Sequence, residues 1–233
     1  MTRILLLPSI LLLLRAHSFG DDWPQFRGPL RDGVSRETGL LKSWPAGGPK
    51  ELWRVSTLGA GYSAPAIVGG KVFIMGQRDD AQWLLCLSGE DGKDQWRVTM
   101  ADFGGIVPGW GYSESPLVDG DHVAVTPGGE KCGVVALEAK TGKLIWQSNY
   151  PIEETQFTSL LAHTKDGVKQ YICVDREKLT GLAATDGKVA MRSISVICSR
   201  VTPAFRPALT DSAARGGGRR CGFCSPSVRR GGR

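Results

Sequence analysis

The chain has 233 residues, 41% hydrophobic and 22% charged, with 31 Gly and 13 Pro, a length that suits one domain or two small ones. This ordinary globular balance excludes wholesale disorder, and without a collagen-like period the glycines fit many short strands joined by turns. The net charge of +6 is not spread evenly: residues 192–233 carry nine Arg and one acid, while residues 1–191 carry 20 basic against 22 acidic side chains. The body therefore gives no reason to expect nucleic acid as a partner.

Met1-Thr2-Arg3 precedes an apolar run at 4–14 and the segment Arg15-Ala16-His17-Ser18-Phe19-Gly20. A positive start, a short apolar stretch and small residues at a cleavage point describe a signal peptide over residues 1–20. The run is shorter than the ~20 residues of a membrane span, and no later stretch is apolar enough to be one. The expectation is an exported protein, periplasmic or extracellular, with no membrane span after signal removal. Cys86, Cys132 and Cys173 stand singly in strand-like runs, where Cys is usually a small buried hydrophobe. Cys221-x-x-Cys224 has a metal or redox spacing but lacks a second pair and any flanking His.

A repeat organises the body. Cys86-Leu87-Ser88-Gly89-Glu90-Asp91-Gly92-Lys93-Asp94-Gln95-Trp96 aligns without gaps on Ala136-Leu137-Glu138-Ala139-Lys140-Thr141-Gly142-Lys143-Leu144-Ile145-Trp146. A third copy runs from Gly181 to Met191 through Gly187 and Lys188, with Met in the Trp place. Pro65 precedes Trp96 by 31 residues and Pro116 precedes Trp146 by 30, so two landmarks recur together. Ile67-Val68-Gly69-Gly70-Lys71-Val72-Phe73 reads as strand, tight turn, strand, and Leu117-Val118-Asp119-Gly120-Asp121-His122-Val123 repeats it with an Asp-Gly turn. Third strands at 83–87 and 134–137, and fourth strands ending at Trp96 and Trp146, complete the units.

Four antiparallel strands every 45–50 residues make a propeller blade. The expected fold is all-β, a partial β-propeller of about three four-stranded antiparallel blades over 21–191, with a disordered Arg/Gly-rich tail at 192–233. Gly92, Gly142 and Gly187 suit positive φ. Trp96 and Trp146 suit a role between neighbouring blades, where a buried ring is worth about 2–3 kcal/mol.

The pattern Ala136-x-Glu138-x-x-Thr141-Gly142-Lys143-x-x-Trp146 resembles the tryptophan-docking motif of PQQ-like (pyrroloquinoline-quinone-type) propeller repeats. Asp22-Trp23-Pro24-Gln25-Phe26-Arg27-Gly28-Pro29 resembles the start of secreted, BamB-like propellers of planctomycete-type bacteria. Together these cover about residues 21–190. Beyond Met191 the repeats stop and Lys disappears, a change read as truncation or a shifted frame.

The resemblance implies a binding or scaffold module for a protein or glycan of the cell envelope, without catalysis. The alternative it implies is a fragment of a quinoprotein oxidoreductase holding PQQ and calcium on the propeller axis; without that alternative no cofactor is expected. Tyr62 and Ser63, then Tyr112 and Ser113, recur before the first strands of successive blades and are expected to face the channel, with Phe157 near the equivalent place in the third. His122 and His163 sit in strand-like contexts without nearby partners, so no metal triad or Ser-His-Asp set is read. Open blade edges are expected to favour self-association.

Overall fold

Hairpins form where turn residues separate β-branched runs. Ala66–Val68 (β1) passes through Gly69 and Gly70, both at positive φ, into Lys71–Arg78 (β2), followed by Ala81–Ser88 (β3) and Asp94–Thr99 (β4). The second unit repeats this as Leu117–Asp119 (β5), His122–Val125 (β6), Val135–Glu138 (β7) and Leu144–Gln147 (β8). The third comprises Leu161–Lys165 (β9), Val168–Val174 (β10), Leu179–Ala183 (β11) and Val189–Met191 (β12). Each unit is one four-stranded antiparallel sheet with its strands in sequence order. This computed structural model describes residues 20–191 except 80, 110, 131, 154, 176 and 177. The expected leader (Gly20 apart) and the expected tail lie outside the described residues.

Side-chain alternation lets each sheet serve two neighbours. Phe73, Met75, Leu84 and Cys86 of the first blade meet Val118, Val123, Val125, Val135 and Leu137 of the second. The second blade's other face, with Leu117, Ala124, Val134, Ala136 and Trp146, packs on Tyr171, Cys173, Leu182 and Ala184 of the third. The first strands β1, β5 and β9 approach one another and so line the axis. The chain is thus an all-β partial propeller. Among the described residues no helix is long and apolar enough to cross a membrane.

One irregularity recurs in every blade. Cys86 pairs with Trp96 but Leu87 with Asp94; Ala136 pairs with Trp146 but Leu137 with Leu144; Gly181 pairs with Met191 but Leu182 with Val189. Each skipped residue (Gln95, Ile145, Ala190) is a β-bulge, which bends the outer strand and re-aims the side chain beside it.

Candidate functional site

The turn before each outer strand is built identically. The amides of Gly92, Gly142 and Gly187 donate to the carbonyls of Ser88, Glu138 and Ala183 at 2.8–2.9 Å, with φ between +70° and +74°. The residue before each Gly supplies an acceptor: Asp91 Oδ1, Thr141 Oγ1 and Asp186 Oδ1 take the amides of Lys93, Lys143 and Lys188 at 3.1–3.3 Å. Thr141 does with a hydroxyl what the other two do with a carboxylate.

Onto these turns fall the indoles. Trp96 lies against Gly142, and its Nε1 donates to the Ala139 carbonyl at 3.1 Å. Trp146 lies against Gly187 and donates to Ala184 at 2.9 Å. A third member is Trp53, lying against Gly92 and donating to Gly89 at 3.0 Å. Sequence reasoning missed Trp53. The signal was Lys50-x-x-Trp53, the spacing of Lys93-x-x-Trp96 and Lys143-x-x-Trp146, hidden because no strand-like run leads into it.

At the axial end the blades are joined through serines. The Ala64 amide donates to Ser115 Oγ at 3.0 Å, and the Ser115 amide to Ser159 Oγ at 2.9 Å. Counting from Pro65 and Pro116, Ser63 and Glu114 occupy one position and do one job. Ser63 Oγ accepts the Met75 amide at 3.2 Å, and Glu114 Oε2 accepts the Thr126 amide at 2.7 Å, while Thr126 Oγ1 donates to Oε1 at 2.9 Å. Burial pushes the Glu114 carboxyl up to about 7, opposed by the donors from Thr126 and the Leu160 amide. A charge fully removed from water loses more solvation than these donors restore.

The proline register also separates the two tyrosines. One extra residue stands between Tyr112 and Pro116, so Tyr62 corresponds to Ser113 and not to Tyr112. Tyr62 is 82% exposed, whereas Tyr112 is buried in the core between the first two blades, donating to the Pro127 carbonyl at 2.5 Å. Burial raises its phenol well above the ordinary range. Ser113 Oγ is buried without a partner among the described residues. These four residues therefore do not converge on one site.

His122 does have a neighbour, contrary to expectation: its Nδ1 lies 3.3 Å from the Tyr171 hydroxyl, which donates to Asp119 Oδ2 at 3.1 Å, while Lys169 Nζ holds Asp119 Oδ1 at 2.7 Å. Facing strands β5, β6 and β10 bring these residues together across the seam between the second and third blades, so 49 residues separate His122 from Tyr171. Cys86, Cys132 and Cys173 are buried and free. Burial pushes their thiols up to about 11, about 11 and about 12, which keeps them protonated and poorly nucleophilic. Cys221 and Cys224 lie outside the described residues.

The inner strands are themselves bonded by another segment of the chain. Trp23 and Ile67 exchange backbone hydrogen bonds of 2.6 and 2.9 Å, and the Val118 amide donates to the Pro24 carbonyl at 2.8 Å. Asp22 Oδ1 takes the Gly69 amide at 2.9 Å, and Arg31 Nη1 reaches the Leu160 carbonyl at 3.2 Å. Residues 22–31 thus touch all three blades at or beside their innermost strands. Gly28, at φ +80°, lets the chain turn against the Trp23 ring.

The family model described as Outer membrane protein assembly factor BamB (PQQ_2) matches residues 39–197. Among solved structures the chain is similar to BamB from Moraxella catarrhalis, with 18% identity and a TM-score of 0.42 over 60% of this chain and 42% of that one. It is similar to quinohemoprotein alcohol dehydrogenase ADHIIG from Pseudomonas putida HK5, with 18% identity and a TM-score of 0.42 over 61% of this chain and 22% of that one. For quinohemoprotein alcohol dehydrogenase from Comamonas testosteroni the values are 18% and 0.48, over 73% of this chain and 27% of that one. The chain spans less than half the length of each. No curated protein matches it.

Proposed function

We propose that this chain, which belongs to the PQQ-like propeller family of outer membrane protein assembly factor BamB, is an exported binding scaffold for a protein or glycan of the cell envelope. The observation that carries this reading is the strip at 22–31. In the alternative, a quinone and its calcium ion sit on the axis and need open space with carboxylate and amide oxygens around a hard cation. Here the axial amides of Ile67 and Val118 are taken by Trp23 and Pro24. Among the described residues no three His, Cys, Asp or Glu side chains are grouped to hold a metal. The residues present do not fit that group, and no redox step is derived through it.

A scaffold needs rigid blades and exposed rim residues instead. Tyr62, at 82% exposure, and Phe157, at 66%, precede the first strands of their blades and so lie at the same end of the sheets. Large aromatics of this kind are the usual anchors of protein interfaces. Retention of envelope components on the immobilised protein tests the reading. A retained component whose binding weakens about 10-fold or more in Tyr62→Ala is the expected result, the size of an interface anchor. Saturable dye reduction with alcohols or sugars after adding PQQ and Ca²⁺ would instead establish the oxidoreductase.

A further inference from the structure

Residues 155–160 lie beside the second blade without joining a sheet. None of them makes a main-chain to main-chain hydrogen bond with another described residue before β9 begins at Leu161. The end of the segment is held by Glu114 and Ser115, the two residues before Pro116. The Leu160 amide donates to the Glu114 carboxyl, and Ser159 Oγ accepts the Ser115 amide at 2.9 Å. Thr155 at its start is 3% exposed, whereas Phe157 stands out at 66%. The posture of Phe157 thus depends on contacts made at 114–115.

The first blade shows that an acid is not needed at this place. Ser63, the counterpart of Glu114, accepts the Met75 amide through a hydroxyl that carries no charge. Glu114 serves the Thr126 amide with a carboxyl that is 1% exposed, and no described cation pairs with it. Arg31 bonds the Leu160 carbonyl at 3.2 Å instead. The titratable groups packed about the carboxyl are Tyr112, from the connection between the first two blades, and Cys173 of β10. Burial keeps both protonated. Asp175, just past β10, accepts from the Tyr150 hydroxyl at 2.8 Å. A cavity of about 10 Å³ is lined by Glu114, Thr126, Thr155, Gln156 and Ser159 among others, room for about one water. Its hydroxyl and amide oxygens can accept the proton of a neutral carboxyl, but no described cation is there to balance an ionised one.

We propose that Glu114 is a proton-operated latch: with its proton it holds residues 155–160, and Phe157 with them, against the second blade, and once ionised it lets them go. The proposal rests on the reading of Phe157 as a rim anchor and adds that partner binding follows pH. A charge buried without a counter-ion is costly until water reaches it. The segment lines the cavity, and its Phe157 and Thr158 are already exposed, so hydrating the charge displaces the segment rather than a sheet. While the segment is in place, burial holds the carboxyl at about 7, against 4.5 in water. The advantage of the held form is therefore full below about 4.5 and is lost as pH rises through about 7.

Amide hydrogen exchange of the purified protein at pH 5.5 and pH 8, expressed as protection factors, tests the latch. Protection at residues 156–160 is expected to fall about 10-fold or more between the two values, to a level well below that of Tyr171 and Ile172 in β10. Glu114→Gln keeps the shape of the side chain and cannot ionise, so its segment is expected to stay protected at both. Glu114→Ser, which installs the residue of the first blade, serves should Glu114→Gln fail to fold. Flat protection at 156–160, the same fall in both variants, or protection equal to that of Tyr171 and Ile172 at pH 8 would each overturn the proposal. Passing an envelope extract over the immobilised protein extends the test to binding. The expected result is a component retained at pH 5.5 and released at pH 8 by the native protein but not by Glu114→Gln, and retention indifferent to pH would overturn the proposal. An extract that leaves nothing bound at either pH counts against the scaffold reading alone, because exchange decides the latch without a partner.

Discussion

A Cβ placed on Gly187 would stand 2.5 Å from Cε3 of Trp146, so the ring rests on bare backbone that glycine alone provides. The same holds between Trp96 and Gly142, at 2.7 Å. Each seam is thus locked by an indole whose position depends on the absence of a methyl group in the next blade.

Gly142→Ala combines two penalties, left-handed backbone at φ +74° and collision with the Trp96 ring. The expected cost is about 3 kcal/mol, which for a chain of this size lowers the melting temperature by about 10 °C. Gly120→Ala separates the terms. Gly120 has φ +59° and nothing near its missing Cβ, so it loses about 1 kcal/mol from backbone strain alone. Differential scanning calorimetry of the two variants measures the steric part by difference.

Trp146→Phe keeps a ring over Gly187 but removes the donor to the Ala184 carbonyl, which is left buried. The expected loss is about 1–2 kcal/mol. Trp146→Ala also empties the seam and is expected to cost about 3–5 kcal/mol. Urea unfolding checks both, and equal effects would show that the hydrogen bond rather than the packed ring holds the seam.

Glu114 makes stability depend on pH with an unusual sign for a carboxylate. Burial raises its carboxyl from 4.5 to about 7, so between those values the folded chain retains a proton that the unfolded chain has released. Its contribution is full below about 4.5 and is lost as pH rises through about 7, by about 3 kcal/mol in all. Melting temperatures measured from pH 4.5 to 7.5 are expected to fall more steeply for the native protein than for Glu114→Gln. Parallel profiles would contradict this.

The blades were legible because their turn chemistry is local: Gly-Lys turns at 92, 142 and 187 need positive φ, and the Trp ending the outer strands of the first two blades, with Met191 in its place in the third, marks the period. The third blade's first hairpin was not read, since Asp166 and Gly167 turn between β9 and β10 in a segment of weak alternation. Tyr62 and Tyr112 look equivalent in sequence, but one added residue shifts the second against Pro116 and turns its ring into the core. Glu114, in register with Ser63, is the buried acid that does the work of that serine. The axial strip left no periodic trace, because its bonds to Ile67 and Val118 are backbone bonds between distant segments.

The functional account rests on residues 22–31 lying along the innermost strands, and amide hydrogen exchange at Ile67 and Val118 tests this most directly. Both amides donate to the strip, at 2.9 and 2.8 Å, so both are expected to exchange slowly in the native protein and much faster once Trp23→Gly loosens the strip. Exchange of both amides at the rate of an open loop in the native protein would contradict the account and return the axis to a ligand.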